Sequence, residues 1–446
     1  MKKKRRRSIA LSVLLILIVS FSTYFLNSPS TATLIPKAIQ KPNLLSIKKP
    51  TLNGVAKNKN IIAFQVEAFQ NLCIGRSLFG HEITPNLNKL IKESYYFKNG
   101  ISQVGFGNTS DAEFMLNTSI YPQSNKSPFK DFTNKNYVSL PKILKDNGYY
   151  TATFHTNDGS FWNRKNMYPI LGFDKYYEKK SFPDEEKHYY GSSDRILFDK
   201  GINELKNFRD KGKPFYVNFV TLSSHAYFVN KPFMKSIKFG ANYDKAIVGK
   251  YLAAINYTDR QLGLFIDALK AENLYDNSLI LIYGDHFALT KDNMSKEYAV
   301  ENKKMIETLL GRPYDKLDFL NIPIIIKLPV KSQDVSSLDI APQTLEMVAG
   351  QIDFMPTILN LAGIKNTKGT MYGKDLFNTK SNSLGVRYYM PKGTIINKDG
   401  LYSGKYHISW NHIIDSKKAT EAEVSKIRDL LKKSDAYLLQ LPRHTK

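Results

Sequence analysis

Five short apolar runs constrain this chain more than any other feature. Ile61–Val66, Tyr150–Phe154, Phe215–Thr221, Ser278–Tyr283 and Ile322–Leu328 are each rich in β-branched or aromatic residues. Runs of this length without alternation suit strands buried on both faces, as in a parallel sheet. Helix signals lie between them. Thr84 before Pro85 reads as an N-cap with proline in the first turn, and Ser139 before Leu140-Pro141 opens a second stretch that Gly148 closes. Tyr251–Lys270 is long enough for five turns. Strands and helices in alternation predict an α/β fold, a central mostly parallel sheet flanked by helices. With 446 residues, 42% of them apolar, the chain can bury a core of that size.

Both ends of the sequence have a different texture. Met1–Arg7 carries six cationic side chains, and Ser8–Leu26 has no charge. As a helix the uncharged stretch would rise about 28 Å, close to the thickness of a bilayer core. It is expected to be a membrane anchor with its basic tail inside and everything after it outside the cell membrane, in single-pass form. The competing expectation is a signal segment cleaved near Ala32, after the small residues Ser30-Thr31. Residues 28–58, with Pro29, Pro36, Pro42 and Pro50, read as an extracytoplasmic linker. A catalytic domain over 59–380 follows. Residues 381–446 are expected to form a small C-terminal α+β subdomain, with an alternating stretch Tyr402–Trp410 and a helix over Thr420–Lys433.

Composition narrows the partners. The net charge is +24, and most of it lies beyond the basic tail. Outside a membrane such a surface favours anionic lipid headgroups or anionic wall polymers and not nucleic acid; a generally solvated lysine-rich surface is the plainer alternative. The single cysteine, Cys73, excludes an intramolecular disulfide and reads as a small buried residue.

In open α/β sheets ligands bind beyond the carboxyl ends of the strands. Glu67 follows the first run, His155, Asn157 and Asp158 the second, Ser223, Ser224 and His225 the third, and Gly284, Asp285 and His286 the fourth. An Asp-His pair reached through a glycine can converge with a carboxylate from another strand on one divalent cation. Oxygen and imidazole donors suit Mn²⁺ or Mg²⁺, or Zn²⁺ if more histidines join. Gly105–Phe114 brings two glycines into Thr109-Ser110-Asp111 and then an apolar helical run, placing Thr109 or Ser110 at a helix N-terminus where backbone N–H groups can hold a phosphate. A bound cation would turn such a hydroxyl into a nucleophile; an ordinary N-cap is the alternative.

Taken in order, Glu67, Gly-x-x-Thr-Ser-Asp-x-Glu-Phe at Thr109, Phe161-Trp162-Asn163-Arg164, Leu222–His225, Tyr283–His286 and Ile352–Leu359 with Leu361-Ala362-Gly363 resemble the lipoteichoic acid synthases, of the sulfatase-like branch of the alkaline-phosphatase superfamily. The resemblance covers about residues 58–380. It implies that Glu67, Thr109, Asp285 and His286 hold one Mn²⁺-like ion and that Thr109 attacks phosphorus. It implies also that Trp162, Arg164 and His225 line a glycerophosphate pocket, Arg164 pairing with phosphate in a fork and His225 assisting proton transfer. His155 and Asp158 complete the expected substrate-binding set. The implied activity is phosphoglycerol transfer from phosphatidylglycerol to a glycolipid, teichoic-acid or glycan hydroxyl, through a phosphothreonine. Family members commonly carry several membrane helices where this chain shows one, so polymerising and single-transfer activities both stay open. Cys73-Ile74-Gly75-Arg76 lacks the Cys-x-Pro-x-Arg setting of a formylglycine sulfatase. A lone cysteine also argues against disulfide-rich phosphoethanolamine transferases. A non-catalytic polymer-binding module would not need Thr109, Asp285 and His286 together.

Overall fold

The structure, a computed structural model, describes residues 51–329 and 341–444. The expected anchor Ser8–Leu26, the Ala32 cleavage site and the linker as far as residue 50 lie outside the described residues. Among the described residues no helix is long and apolar enough to cross a membrane.

The runs become strands of one sheet: β1 (Asn60–Val66), β2 (Tyr95–Phe97), β3 (Tyr150–Phe154), β4 (Lys175–Tyr177), β5 (Phe215–Val220), β6 (Ser278–Gly284), β7 (Ile324–Lys327) and β8 (Gln343–Leu345). Their order is β8-β2-β7-β6-β1-β5-β3-β4. Burial on both faces explains the uninterrupted apolar sequences. In β1, Ile61 and Ala63 enter one core while Ile62, Phe64 and Val66 enter the other, and β6 divides in the same way. Helices α1 (Pro85–Ile91), α5 (Asp194–Asp210), α6 (Ile247–Ala271) and α7 (Ala299–Leu310) cover the second face. The first is covered by α2 (Thr109–Thr118), α3 (Leu140–Asp146), α4 (Arg164–Leu171) and α8 (Phe354–Leu361).

The sheet is mostly parallel, as expected, but mixed, because β7 runs antiparallel to both β6 and β2. An apolar run buried on two faces carries no mark of its direction. The stretch 51–58 is not free linker: Leu52 and Ala56 are buried, and the amides of Gly54 and Ala56 bond the carbonyls of Asn360 and Leu361 at 2.9 and 2.8 Å. The second of these bonds satisfies a carbonyl that the end of α8 would otherwise leave open. Lastly, the segment after residue 381 does form the small α+β unit, with strands β9 (Leu384–Gly385), β10 (Ile395–Asn397), β11 (Gly400–Tyr402), β12 (His407–Ser409) and β13 (Ile414–Asp415) in an antiparallel sheet and α9 (Glu421–Gln440) behind it. It has no separate core. Leu384, Ile396, Leu401, Ile408 and Leu438 belong to the same apolar cluster as Leu116 of α2.

Candidate active site

Register along β1 assembles the site. Gln65 pairs with Val220 of β5 and Val66 with Gly284 of β6, so Glu67, the Thr221–His225 loop and Asp285 leave the sheet side by side. Local hydrogen bonds then fix each residue. The Glu67 amide donates to Thr221 Oγ1 at 2.9 Å, and Ser224 Oγ donates to the Glu67 carbonyl at 2.6 Å. Asp285 Oδ1 accepts from the amides of Ala68 and His286 at 2.7 and 2.6 Å. Gly284 has to be glycine, since a Cβ there would stand 2.0 Å from the Phe69 carbonyl oxygen.

Thr109 opens α2 and is 6% exposed. Tyr283 OH donates to Gln65 Oε1 at 2.5 Å, and Gln65 Nε2 donates to the Thr109 carbonyl at 3.0 Å, tying the helix start to the sheet. Thr109 Oγ1 lies 3.4 Å from both Glu67 Oε2 and His286 Nε2. His286 Nε2 is in turn 3.4 Å from Glu67 Oε1 and 3.5 Å from Asp285 Oδ2. One donor atom each from Glu67, Asp285 and His286 fall within 4.8 Å of one another. Ligands held about 2.1 Å from a single cation are spaced in this range.

Electrostatics agree with a cation position. Asp285 Oδ2 is buried and has no hydrogen-bond partner among the described residues. Burial and the neighbouring Glu67 charge push the Asp285 carboxyl well above its usual range. Burial opposes ionisation of Glu67 too, but the His225 and His286 imidazoles outweigh it and hold Glu67 down at about 2. His286, against burial, is lifted to about 10 by Asp285 and Glu67. Two buried carboxyls and one imidazole compete here for protons that a divalent ion would replace. The donor set therefore fits a divalent metal.

The pocket residues are placed unevenly. His225 Nε2 is 3.9 Å from Glu67 Oε1, and Tyr190 packs on its ring with centroids 4.7 Å apart. His155 is buried with Nδ1 2.9 Å from the Val220 carbonyl; burial, then the Arg164 charge, push it down to about 3, so the ring is neutral. Trp162 is half-buried at φ 53°, with Lys130 Nζ 4.4 Å from its ring centre. Asp158 is exposed and accepts from the Ser160 amide and hydroxyl at 2.8 and 2.6 Å, which makes it a turn-former at the rim. Arg164 departs from expectation. Its Nε and Nη2 both bind Glu113 Oε1, at 3.0 and 2.6 Å, so the edge expected to grip phosphate is already occupied, and Nη1 reaches the Phe161 carbonyl at 3.4 Å. The first-turn amides depart as well: those of Ser110 and Asp111 bond the carbonyls of Gly107 and Asn108. Glu113 was legible as the residue one turn after Thr109 on the same helix face. Tyr190 had no such signal.

A second cluster, Asp315, Asp318 and His412, has the spacing of a metal site. Arg312 already occupies it, with Nη1 and Nη2 on Asp318 at 2.6 and 2.7 Å. Cys73 is buried against Tyr251, and burial pushes its thiol up to about 12, which leaves it inert.

The sulfatase family model matches residues 59–364. Lipoteichoic acid synthase 2 of Bacillus subtilis (strain 168) is 32% identical over 86% of this chain and 56% of its own length. The lipoteichoic acid synthase of Staphylococcus aureus (strain NCTC 8325 / PS 47) is 34% identical over 84% of this chain and 56% of its own. The chain thus spans a little over half the length of these relatives. The crystal structure of the lipoteichoic acid synthase LtaP from Listeria monocytogenes superposes with a TM-score of 0.81 at 31% identity, over 89% of this chain and 96% of that one. A match that runs from before β1 to beyond α8, joined to so close a structural likeness, makes this chain a member of the sulfatase family, on its lipoteichoic acid synthase side.

Proposed function

We propose that this chain is a membrane-anchored, extracytoplasmic phosphoglycerol transferase that moves glycerol phosphate from phosphatidylglycerol to an acceptor hydroxyl on a glycolipid, teichoic acid or glycan. The observation that carries the reading is Thr109 Oγ1 lying 3.4 Å from Glu67 and from His286 at the start of a helix fixed to the sheet. The relatives named as lipoteichoic acid synthases support the substrate class. Glu67, Asp285, His286 and the Thr109 hydroxyl would hold one divalent ion, Mn²⁺ by preference, which when bound supplies positive charge to the threonine oxygen and to the phosphoryl oxygens. Thr109 Oγ forms a bond to phosphorus as the bond to the diacylglycerol oxygen breaks, and diacylglycerol leaves with a proton. The acceptor hydroxyl then attacks the phosphothreonine, loses its proton and frees Thr109. His225 is within reach of Glu67 and partly open to solvent, suiting it to carry protons in both steps. His155, neutral at working pH with its Nδ1–H donating to the Val220 carbonyl, leaves Nε2 to accept from a glycerol hydroxyl without adding charge, and Trp162 walls the glycerol side.

The test follows release of fluorescent diacylglycerol from labelled phosphatidylglycerol by the full chain in detergent with Mn²⁺. Thr109→Ala is expected to abolish release while keeping the unfolding profile, with Glu67, Asp285 and His286 still able to bind the metal, at lower affinity. Release unaffected by that substitution sinks the nucleophile. No release by the folded, metal-loaded native protein sinks phosphatidylglycerol as donor and brings phosphoethanolamine lipids forward.

A further inference from the structure

An unbroken series of aromatic contacts begins and ends in the active site. From His225 the contacts pass through Tyr190 (4.7 Å between ring centres) and Phe161 (5.6 Å) to Trp162 (5.9 Å). They continue from Trp162 to Phe106 at 6.4 Å and Tyr388 at 6.2 Å. Tyr389, 4.6 Å from Tyr388, then meets Phe287 at 4.7 Å, whose ring is 5.9 Å from that of His286. The series starts and ends on the two imidazoles that face Glu67. Many of these rings are not buried. Phe106, Phe161 and Tyr388 are 44, 39 and 44% exposed, and beside Tyr190 an outer pair, Tyr189 and Tyr227, is 63 and 71% exposed.

This exposure is held in place. Trp162, Tyr227 and Tyr388 have φ values of 53°, 68° and 74°, a conformation that bulky side chains adopt only when the surroundings impose it. Cations stand among the rings: Lys130 is 4.4 Å from the Trp162 centre and Lys231 5.8 Å from that of Tyr189, and neither makes an ion pair among the described residues. Apolar rings with a polar edge, interspersed with lysines on a basic protein, match the chemistry of a bilayer interface bearing anionic headgroups.

We propose that this aromatic collar is a membrane-docking surface, which seats the mouth of the active site on the headgroup layer of an anionic bilayer. The proposal rests on the lipid-donor reading above. A headgroup can then reach Thr109 while its acyl chains stay in the bilayer, and the cost of extracting a lipid is avoided.

The chain has two tryptophans, Trp162 in the collar and Trp410 next to β12 in the C-terminal unit. Full-length protein reconstituted in phosphatidylcholine–phosphatidylglycerol vesicles reports Trp162 alone as Trp410→Phe, and Trp410 alone as Trp162→Phe. Lipids brominated near the headgroup end of their chains are expected to quench Trp162 at least about threefold more than Trp410. Equal quenching, or none at Trp162, overturns the proposal. Because quenching needs no turnover, it decides docking even if phosphatidylglycerol proves not to be the donor. In a second arm, Tyr227→Ser with Tyr388→Ser is expected to lower turnover of a vesicle-borne donor about tenfold and to change that of monomeric short-chain phosphatidylglycerol less than about twofold. Equal loss on both donors would place these tyrosines in headgroup or sugar recognition and overturn the proposal.

Discussion

The Arg164 guanidinium and the Glu113 carboxylate are 1% and 0% exposed, and Tyr168 OH also donates to Glu113. A buried pair of this kind is balanced only as long as both charges are present. Glu113→Gln leaves Arg164 without its counter-charge and is expected to cost about 3–5 kcal/mol in chemical denaturation, whereas Glu113→Gln with Arg164→Met should recover more than half of that loss. If the double variant is as unstable as the single one, packing and not charge governs the position. A second residue-scale prediction concerns protons. With no cation bound, His286 is held at about 10 and carries a proton at neutral pH, while burial and the Glu67 charge push Asp285 towards its protonated form. Metal uptake must displace these protons, so apparent affinity rises with pH from the neutral range towards 10 and falls as acid returns the protons. Calorimetry of Mn²⁺ binding at pH 7 in buffers of different ionisation enthalpy should give between one and two protons released per ion. Heats independent of the buffer would remove this account of the site.

At the scale of elements, a hairpin that crosses the mouth of the site carries Tyr190. Lys187 and Ser192 bridge its arms, and Gly191 bridges to Asn157 just after β3. The approach is close enough that a Cβ on Gly191 would stand 2.2 Å from the Thr156 carbonyl oxygen, a clash with backbone that no rotamer relieves. Gly191→Ala is therefore expected to lift the hairpin, withdraw Tyr190 from His225 and raise KM for the donor several-fold, with a loss of about 1–3 kcal/mol in stability. Wild-type kinetics in that variant would show that the hairpin does not shape the pocket. The hairpin also marks a limit of legibility. Glu67, Asp285, His286 and His225 could be read because each follows a strand, and a strand leaves an apolar run in the sequence. His188-Tyr189-Tyr190 follows no run and has no period, so nothing local announced it. Caps were legible in position more than in partner. Thr84 does precede α1, but its hydroxyl bonds the Cys73 carbonyl, and Asp259 of α6 accepts the Asn86 and Leu87 amides instead. At Thr420 the local signal sufficed, because Glu423 three residues on closes a capping box.

For the whole molecule, the site acts as a junction. Glu67, Thr109 and Asp285-His286 come from segments far apart in sequence, and they meet where α2 is pinned to the middle of the sheet by Gln65 and Tyr283. The strand runs made the sheet legible, but the antiparallel sense of β7 and the short edge strands β4 and β8 were not, because direction and brief pairing leave no apolar pattern. A cation bound at the junction should stabilise the entire body, since only the folded chain brings the ligands together. At free metal about a hundredfold above Kd the gain is about 2.7 kcal/mol, which for a body of this size is a rise of about 2–6 °C in Tm. Chelation should reverse it, and the shift should grow with the logarithm of metal concentration. Asp285→Asn separates this from nonspecific ion effects. It removes a carboxyl whose burial disfavours ionisation, so the metal-free variant should be at least as stable as the metal-free native protein, yet show almost no shift on adding Mn²⁺. A Tm shift that survives Asp285→Asn would mean that the stabilising ion binds elsewhere.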